Sequence, residues 1–182
     1  MFHVEQKNYK MNLKTFIREV PDFPRKGINF IDITTMLKNP DAFGFVVDSI
    51  FNKFKDKNIT KVVSLESRGF IIGGAVAYRL NAGFVPVRKS GKLPAETFSK
   101  QYELEYGTDL IEIHKDALDE NDVVLIHDDL LATGGTAMAA IELVKELKVK
   151  QIYLSFICNL GFLKTRKKDE IEQYNAHILV TY

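Results

Sequence analysis

A single cysteine, Cys158, stands among 182 residues, which excludes an intramolecular disulfide and a zinc site built on several thiolates. It lies in the apolar run Leu154-Ser155-Phe156-Ile157-Cys158, where a buried, inert thiol is expected. An excess of one charge is also missing, since 25 Lys and Arg meet 24 Asp and Glu for a formal +1. That balance gives no reason to expect nucleic acid or a membrane surface as partner, and it says nothing about a local charged pocket. No segment reaches the roughly 18 apolar residues of a membrane span. Met1 to Lys10 alternates polar and charged residues and lacks a signal peptide's apolar core. A reducing, cytoplasmic setting is the expectation. Internal repeats, low-complexity tracts and Pro/Gly/Ser linkers are absent as well, so residues 1–182 are read as one domain with 1–11 flexible.

What is present reads as strands alternating with helices. Pro21 to Gly27 is punctuation, because two prolines and a glycine resist helix, and Phe30 to Ile33 follows as a short extended piece. Asn39 is a natural N-cap with Pro40 at the first helical position. Phe43, Val46, Val47, Ile50, Phe51 and Phe54 then recur at helical spacing. Strands are expected at Lys61 to Leu65, Phe84 to Val87, Val123 to Ile126, Ile152 to Cys158 and Ile178 to Val180, with helices over Gly69 to Leu80 and Gly135 to Leu147. Ser90 to Leu110 shows little periodicity and is expected to be a long excursion. The pattern predicts an α/β fold with a mostly parallel central sheet flanked by helices. The core sheet should span 61–158, and a small N-terminal hood 20–35.

The most informative string is Val123-Val124-Leu125-Ile126-His127-Asp128-Asp129-Leu130-Leu131-Ala132-Thr133-Gly134-Gly135-Thr136. A buried strand ends in two carboxylates, then a small, hydroxyl- and glycine-rich turn opens a helix. Ligands of such sheets bind at the carboxyl ends of strands. Successive backbone N–H groups at a helix start make a phosphate site. No Gly-Lys-Ser/Thr closes the turn and no G-x-G-x-x-G occurs in it, so neither a Walker A loop nor a dinucleotide fingerprint is present. Two acids cannot grip a phosphate, but they can accept hydrogen bonds from vicinal ribose hydroxyls or help hold a hydrated Mg²⁺. A ribose 5-phosphate satisfies both halves. His127 precedes an outward-facing acid on a strand and is therefore read as a hydrogen-bonded core histidine.

Two further strand ends carry cations. Glu66-Ser67-Arg68-Gly69-Phe70 joins a turn to an arginine, and Arg88-Lys89-Ser90-Gly91-Lys92 places three cations on a glycine-bearing turn. Both suit a diphosphate. The run Lys164-Thr165-Arg166-Lys167-Lys168 is read as a solvated face.

The acid pair with its turn resembles the 5-phosphoribosyl diphosphate (PRPP) motif of the type I phosphoribosyltransferases. Several stretches resemble the adenine-specific members of that family: Pro21-Asp22-Phe23-Pro24, Glu66 to Phe70, Arg88 to Pro94, Leu104-Glu105-Tyr106-Gly107 and Leu110 to Leu118. The similarity runs from about Val20 to about Leu163. It implies transfer of the phosphoribosyl group from PRPP to adenine, giving AMP and diphosphate, with Mg²⁺ carried mainly by PRPP and no dedicated protein ligand for it. By the same resemblance, Asp128 and Asp129 hold the ribose, and Ala132, Thr133, Gly134, Gly135 and Thr136 hold the 5-phosphate. Ser67, Arg68, Lys89 and Lys92 bind diphosphate, with Arg88 reaching across a homodimer. Glu105 and Tyr106 ride a loop that closes over the reacting centre. Asn29, Phe30 and Leu160 bind adenine. Ile31 and Asn159 stand where the family often has an arginine and an acid. A transferase for another purine and a non-catalytic PRPP sensor share the phosphate motif and stay open at this point.

Overall fold

The computed structural model describes residues 11–103 and 107–182. The chain divides into two compact units, Met1–Phe45 and Val46–Tyr182. In the first, a single 3-10 turn over Leu13–Phe16 leads to β1 (Arg18–Val20). This strand pairs antiparallel with β2 (Phe30–Asp32), Arg18 opposite Asp32 and Val20 opposite Phe30. The punctuation expected at Pro21 to Gly27 is a turn, in which the Gly27 amide (φ +88°) donates to Asp22 Oδ1 at 2.6 Å. Asp32 accepts from Arg18 Nε at 3.0 Å and from the Thr34 amide at 2.9 Å. Burial raises its carboxyl, but Arg18 and Thr34 more than reverse that and hold it at about 2. One turn of helix, α1 (Thr34–Leu37), follows.

Helix α2 (Pro40–Phe54) runs across the boundary between the units. Its start is the expected one, with Asn39 Oδ1 accepting the Ala42 amide at 2.9 Å. Val46, Val47, Ile50 and Phe54 on its apolar face are buried. The second unit is built on a seven-stranded sheet in the order β5-β6-β4-β3-β7-β8-β9. Five of these strands are mutually parallel: β3 (Lys61–Leu65), β4 (Gly83–Lys89), β7 (Val123–Leu131), β8 (Gln151–Asn159) and β9 (His177–Thr181). Between them run α3 (Gly69–Leu80), α4 (Gly135–Glu146) and a short α5 (Arg166–Glu172). The core gathers Val63, Leu65, Val87, Ile126, Leu143 and Phe156. This is the mostly parallel α/β architecture that the strand–helix alternation predicts.

Four details refine or overturn the expectation. The excursion at Ser90 to Leu110 contains a strand, β5 (Thr97–Glu103), paired antiparallel with β6 (Thr108–His114), which in turn pairs with β4. Strand β7 does not stop at Ile126 but continues to Leu131, so the acid pair lies within the strand and keeps its register with β8. His127 is fully buried as expected, with the Ser155 backbone as a weak hydrogen-bond partner in place of any well-aligned side chain. Burial pushes it down to about 4, so it stays neutral. Lys168 is not solvated: it is 9% exposed, and its ammonium donates to the Leu160 carbonyl at 2.6 Å.

Candidate active site

Three loops at the carboxyl ends of β3, β4 and β7 carry most of the predicted site. After β3, the Glu66–Ser67 peptide is cis and leads into Arg68, the residue that opens α3. Gly69 then passes so close to β7 that an added Cβ would lie 2.9 Å from Asp128 Oδ1 and 3.3 Å from the Asp128 Cα. Only a glycine allows that approach. The result is an ion pair, Arg68 Nε to Asp129 Oδ2 at 2.8 Å. Asp128 is half-buried, and Asp129 is 5% exposed. Burial raises both carboxyls; the neighbouring charge of Asp129 adds to the rise at Asp128, while Arg68 pulls against it at Asp129. Two adjacent acids on one strand cannot both ionise without cost.

Beyond Leu131 the chain turns through Ala132 to Thr136. Gly134 adopts φ +85° at the N-cap of α4, where no side chain caps the helix. A Cβ on Gly135 would approach the Glu103 carbonyl oxygen to 2.8 Å, so the turn packs directly on β5. Thr165 Oγ1 donates to the Thr133 carbonyl at 2.7 Å and fixes the turn from its other side. Uncapped helix-start amides are the kind of group that suits a dianionic phosphate, and Thr133 and Thr136 lie in the same turn.

The basic loop after β4 is organised by carboxylates. Glu66 accepts from Arg88 Nε at 3.3 Å and from the Lys89 amide at 3.0 Å, and Lys92 donates to it as well. Burial raises the Glu66 carboxyl, and Lys92, Lys89 and Arg88 together outweigh that, bringing it to about 2. Lys89 Nζ pairs with Asp109 at 2.9 Å. Glu112 accepts from Ser90 Oγ at 2.7 Å and from the Gly91 amide at 3.0 Å. Every cation assigned to diphosphate is therefore aimed by an acid of the same unit.

The residues assigned to the base are distributed differently. In the first unit, Asn29 Nδ2 donates to Glu19 at 2.6 Å, which holds its side-chain amide against β1. Phe30 meets Phe23 edge-on at 5.2 Å. Ile31 is buried, 2% exposed. In the second unit Leu160 is 8% exposed, and its amide donates to the Leu131 carbonyl at 3.0 Å. Glu105 and Tyr106 lie outside the described residues.

A family model described as the phosphoribosyl transferase domain matches residues 34–178, most of the chain. The chain belongs to the phosphoribosyl transferase family. Within that family it is 60% identical to the adenine phosphoribosyltransferase of Bacteroides thetaiotaomicron over 165 residues, covering 90% of this chain and 94% of the relative. It is 49% identical to the adenine phosphoribosyltransferase of Thermotoga maritima, covering 96% and 99%. The crystal structure of the adenine phosphoribosyltransferase of Thermoanaerobacter pseudethanolicus superimposes with a TM-score of 0.87 at 46% identity, over 93% of this chain and 98% of that one. A Giardia lamblia phosphoribosyltransferase complexed with 9-deazaadenine matches with the same TM-score at 41% identity, over 93% and 95%. The family match thus runs through the second unit as far as residue 178 and reaches back into the first, to residue 34.

Sequence reasoning left several residues of this family member without a role. Glu66 stands in its motif only as a neighbour of Arg68. Asp109 lies in the stretch read as irregular and Glu112 just beyond it, and pairing of β6 with β4, Glu112 opposite Arg88, brings both to the basic loop. Their signal is a carboxylate on the strand beside a cationic turn, visible only once the register is known.

Proposed function

We propose that this chain transfers the 5-phosphoribosyl group from PRPP to adenine, releasing AMP and diphosphate. One observation carries the reading: the Arg68–Asp129 ion pair joins the loop suited to diphosphate to the acid pair suited to ribose, one turn before an uncapped helix start suited to the 5-phosphate. PRPP has those three parts in that order. Adenine N9 attacks the anomeric carbon, the N–C bond forms as the C–O bond to diphosphate breaks, and the diphosphate leaves with the bonding pair. Positive charge develops on an oxocarbenium-like ribose as negative charge builds on the leaving group. Arg68, Arg88, Lys89 and Lys92, with the Ser67 backbone, stabilise that leaving charge. Asp128 and Asp129 accept hydrogen bonds from the ribose hydroxyls, and residues 132–136 anchor the 5-phosphate. Asn29, Phe30 and Leu160 are proposed to bind the base. Glu105 is proposed to manage the base's proton, with Tyr106 beside it. Glu105→Leu should keep PRPP binding by calorimetry and lose most turnover; full activity rejects the role.

Two carboxylates fall short of a protein cage for Mg²⁺ but suit a hydrated ion that arrives on the substrate. Bound there, Mg²⁺ would neutralise part of the diphosphate charge. We further propose a homodimer working in the cytoplasm, with Arg88 serving the neighbouring site. Ile71 (48%) and Tyr78 (89%), seven residues apart on α3, leave apolar surface exposed that a second copy could cover. The buried lone thiol fits a reducing compartment. Among the described residues no helix is long and apolar enough to cross a membrane.

The deciding experiment is a product assay with PRPP, Mg²⁺ and each of adenine, hypoxanthine, guanine and xanthine. AMP formed with adenine, at a kcat/KM far above the other three, is the expected result. Comparable turnover of a 6-oxopurine overturns the adenine assignment, and no turnover of any base overturns the enzyme.

A further inference from the structure

Burying a lysine is costly, and a lysine in an interior normally has a specific partner there. Lys168 has one. Its ammonium donates at 2.6 Å to the Leu160 carbonyl. Its own amide is held in the N-terminal turn of α5 by Thr165 Oγ1, at 3.2 Å. Burial lowers its affinity for a proton, as does Lys164, against a smaller opposing pull from Glu172.

Leu160 is pinned on all sides. Its amide donates to Leu131 at 3.0 Å, its carbonyl also accepts the Leu163 amide at 3.1 Å, and the next amide, Gly161, donates to Tyr182 at 2.8 Å. The first and last of these bonds tie the segment to the sheet end and to the last residue of the chain. Lys168 is the contact that reaches it from a helix. The same helix start supports the phosphate turn, through Thr165 Oγ1 on the Thr133 carbonyl at 2.7 Å. Lys167 and Ile171 press on Gly134, where a Cβ would meet them at 3.3 and 3.1 Å. One short helix thus touches both the turn assigned to 5-phosphate and the carbonyl of the residue assigned to adenine.

We infer that Lys168 is a positioning residue for the base: its buried ammonium fixes the Leu160 backbone and with it the surface on which adenine packs, while Thr165 on the same helix fixes the phosphate turn. The inference rests on the proposed reaction and deepens it. The charged donor is suited to this task, because a hydrogen bond from an ionised group is stronger than a neutral one. A methionine would fill the same volume and hold nothing.

The test is a pair of variants, Lys168→Met and Thr165→Val, with KM measured separately for adenine and for PRPP. Lys168→Met should raise KM for adenine roughly tenfold or more, the order expected for one lost charged hydrogen bond, and change KM for PRPP little. Thr165→Val should do the reverse. Equal rises in both constants for Lys168→Met mean general loosening and overturn the inference, as does an unchanged KM for adenine. Should Lys168→Met fail to fold, the ¹⁵N signal of the Lys168 ammonium in the unaltered protein decides. AMP is expected to shift it more than ribose 5-phosphate does, and equal shifts overturn the inference. Absence of adenine turnover by the unaltered protein is a different result, and it sinks the reaction itself.

Discussion

Arg68 and Asp129 meet at 2.8 Å, the guanidinium at the start of α3 against the inner acid of β7. A group assigned to diphosphate and a group assigned to ribose are therefore one ion pair. Arg68→Ala and Asp129→Asn should be strongly non-additive. A double-mutant cycle on kcat/KM for PRPP is expected to give a coupling of about 1–3 kcal/mol. Simple additivity would show that the two side chains serve PRPP independently.

Each charged hydrogen bond to the ribose hydroxyls should contribute about 1.5–3 kcal/mol. Asp128→Asn with Asp129→Asn should accordingly raise KM for PRPP by at least roughly tenfold per contact. Steady-state kinetics at saturating adenine reads this directly, and unchanged PRPP turnover rejects the ribose assignment.

Gly69→Ala tests the close approach of α3 to β7. Its Cβ would lie 2.9 Å from Asp128 Oδ1 and 3.3 Å from both the Asp128 Cα and the His127 carbonyl oxygen. Displacing Asp128 by a few tenths of an ångström should raise KM for PRPP by roughly tenfold or more, with KM for adenine little changed. Wild-type kinetics in this variant would mean that Asp128 is not held where the substrate needs it.

Glu66 is held at about 2, below its ordinary value of 4.5. Its contribution to stability is then fully present above pH 4.5 and is lost as pH falls through the folded value near 2. Glu66→Gln should cost about 1–2 kcal/mol at pH 7, after allowance for partial solvent screening. The gap should narrow as pH falls below 4.5 toward 2. Urea unfolding of both proteins across that range measures it, and a gap that stays constant to pH 3 refutes the charge as its origin.

Cys158 is fully buried, and burial, with Asp129 nearby, pushes its thiol up to about 12. A maleimide at pH 8 should leave the folded protein unlabelled and modify one thiol per chain in denaturant. Rapid native labelling would require an opening of β8 that this packing does not provide.

Much of the architecture was legible because its signals are local. The Asn39-Pro40 helix start, the apolar run into β7 and the glycine turn into α4 each announce themselves within a few residues. Strand β5 does not, because it is an edge strand whose covered face, Phe98, Lys100 and Tyr102, carries a lysine and so breaks the apolar alternation in the sequence. Asp109 and Glu112 went unnoticed with it, since their partners Lys89 and Ser90 are about twenty residues away and meet them only through sheet register. Lys168 was misread for a related reason. Within a run of four cations, nothing local distinguishes the one that turns inward to a carbonyl eight residues back.

The acids that aim the diphosphate cations have a consequence for what the protein ignores. Arg68, Arg88, Lys89 and Lys92 each already sit on a carboxylate. An approaching polyanion therefore meets little net positive field, and long-range attraction does little to recruit it. Binding becomes an exchange of counter-anions that only a ligand with the matching spacing of phosphates and hydroxyls completes. The near-neutral chain in this sense offers little to a polyanion without that spacing, and its affinity for PRPP should depend only weakly on added salt.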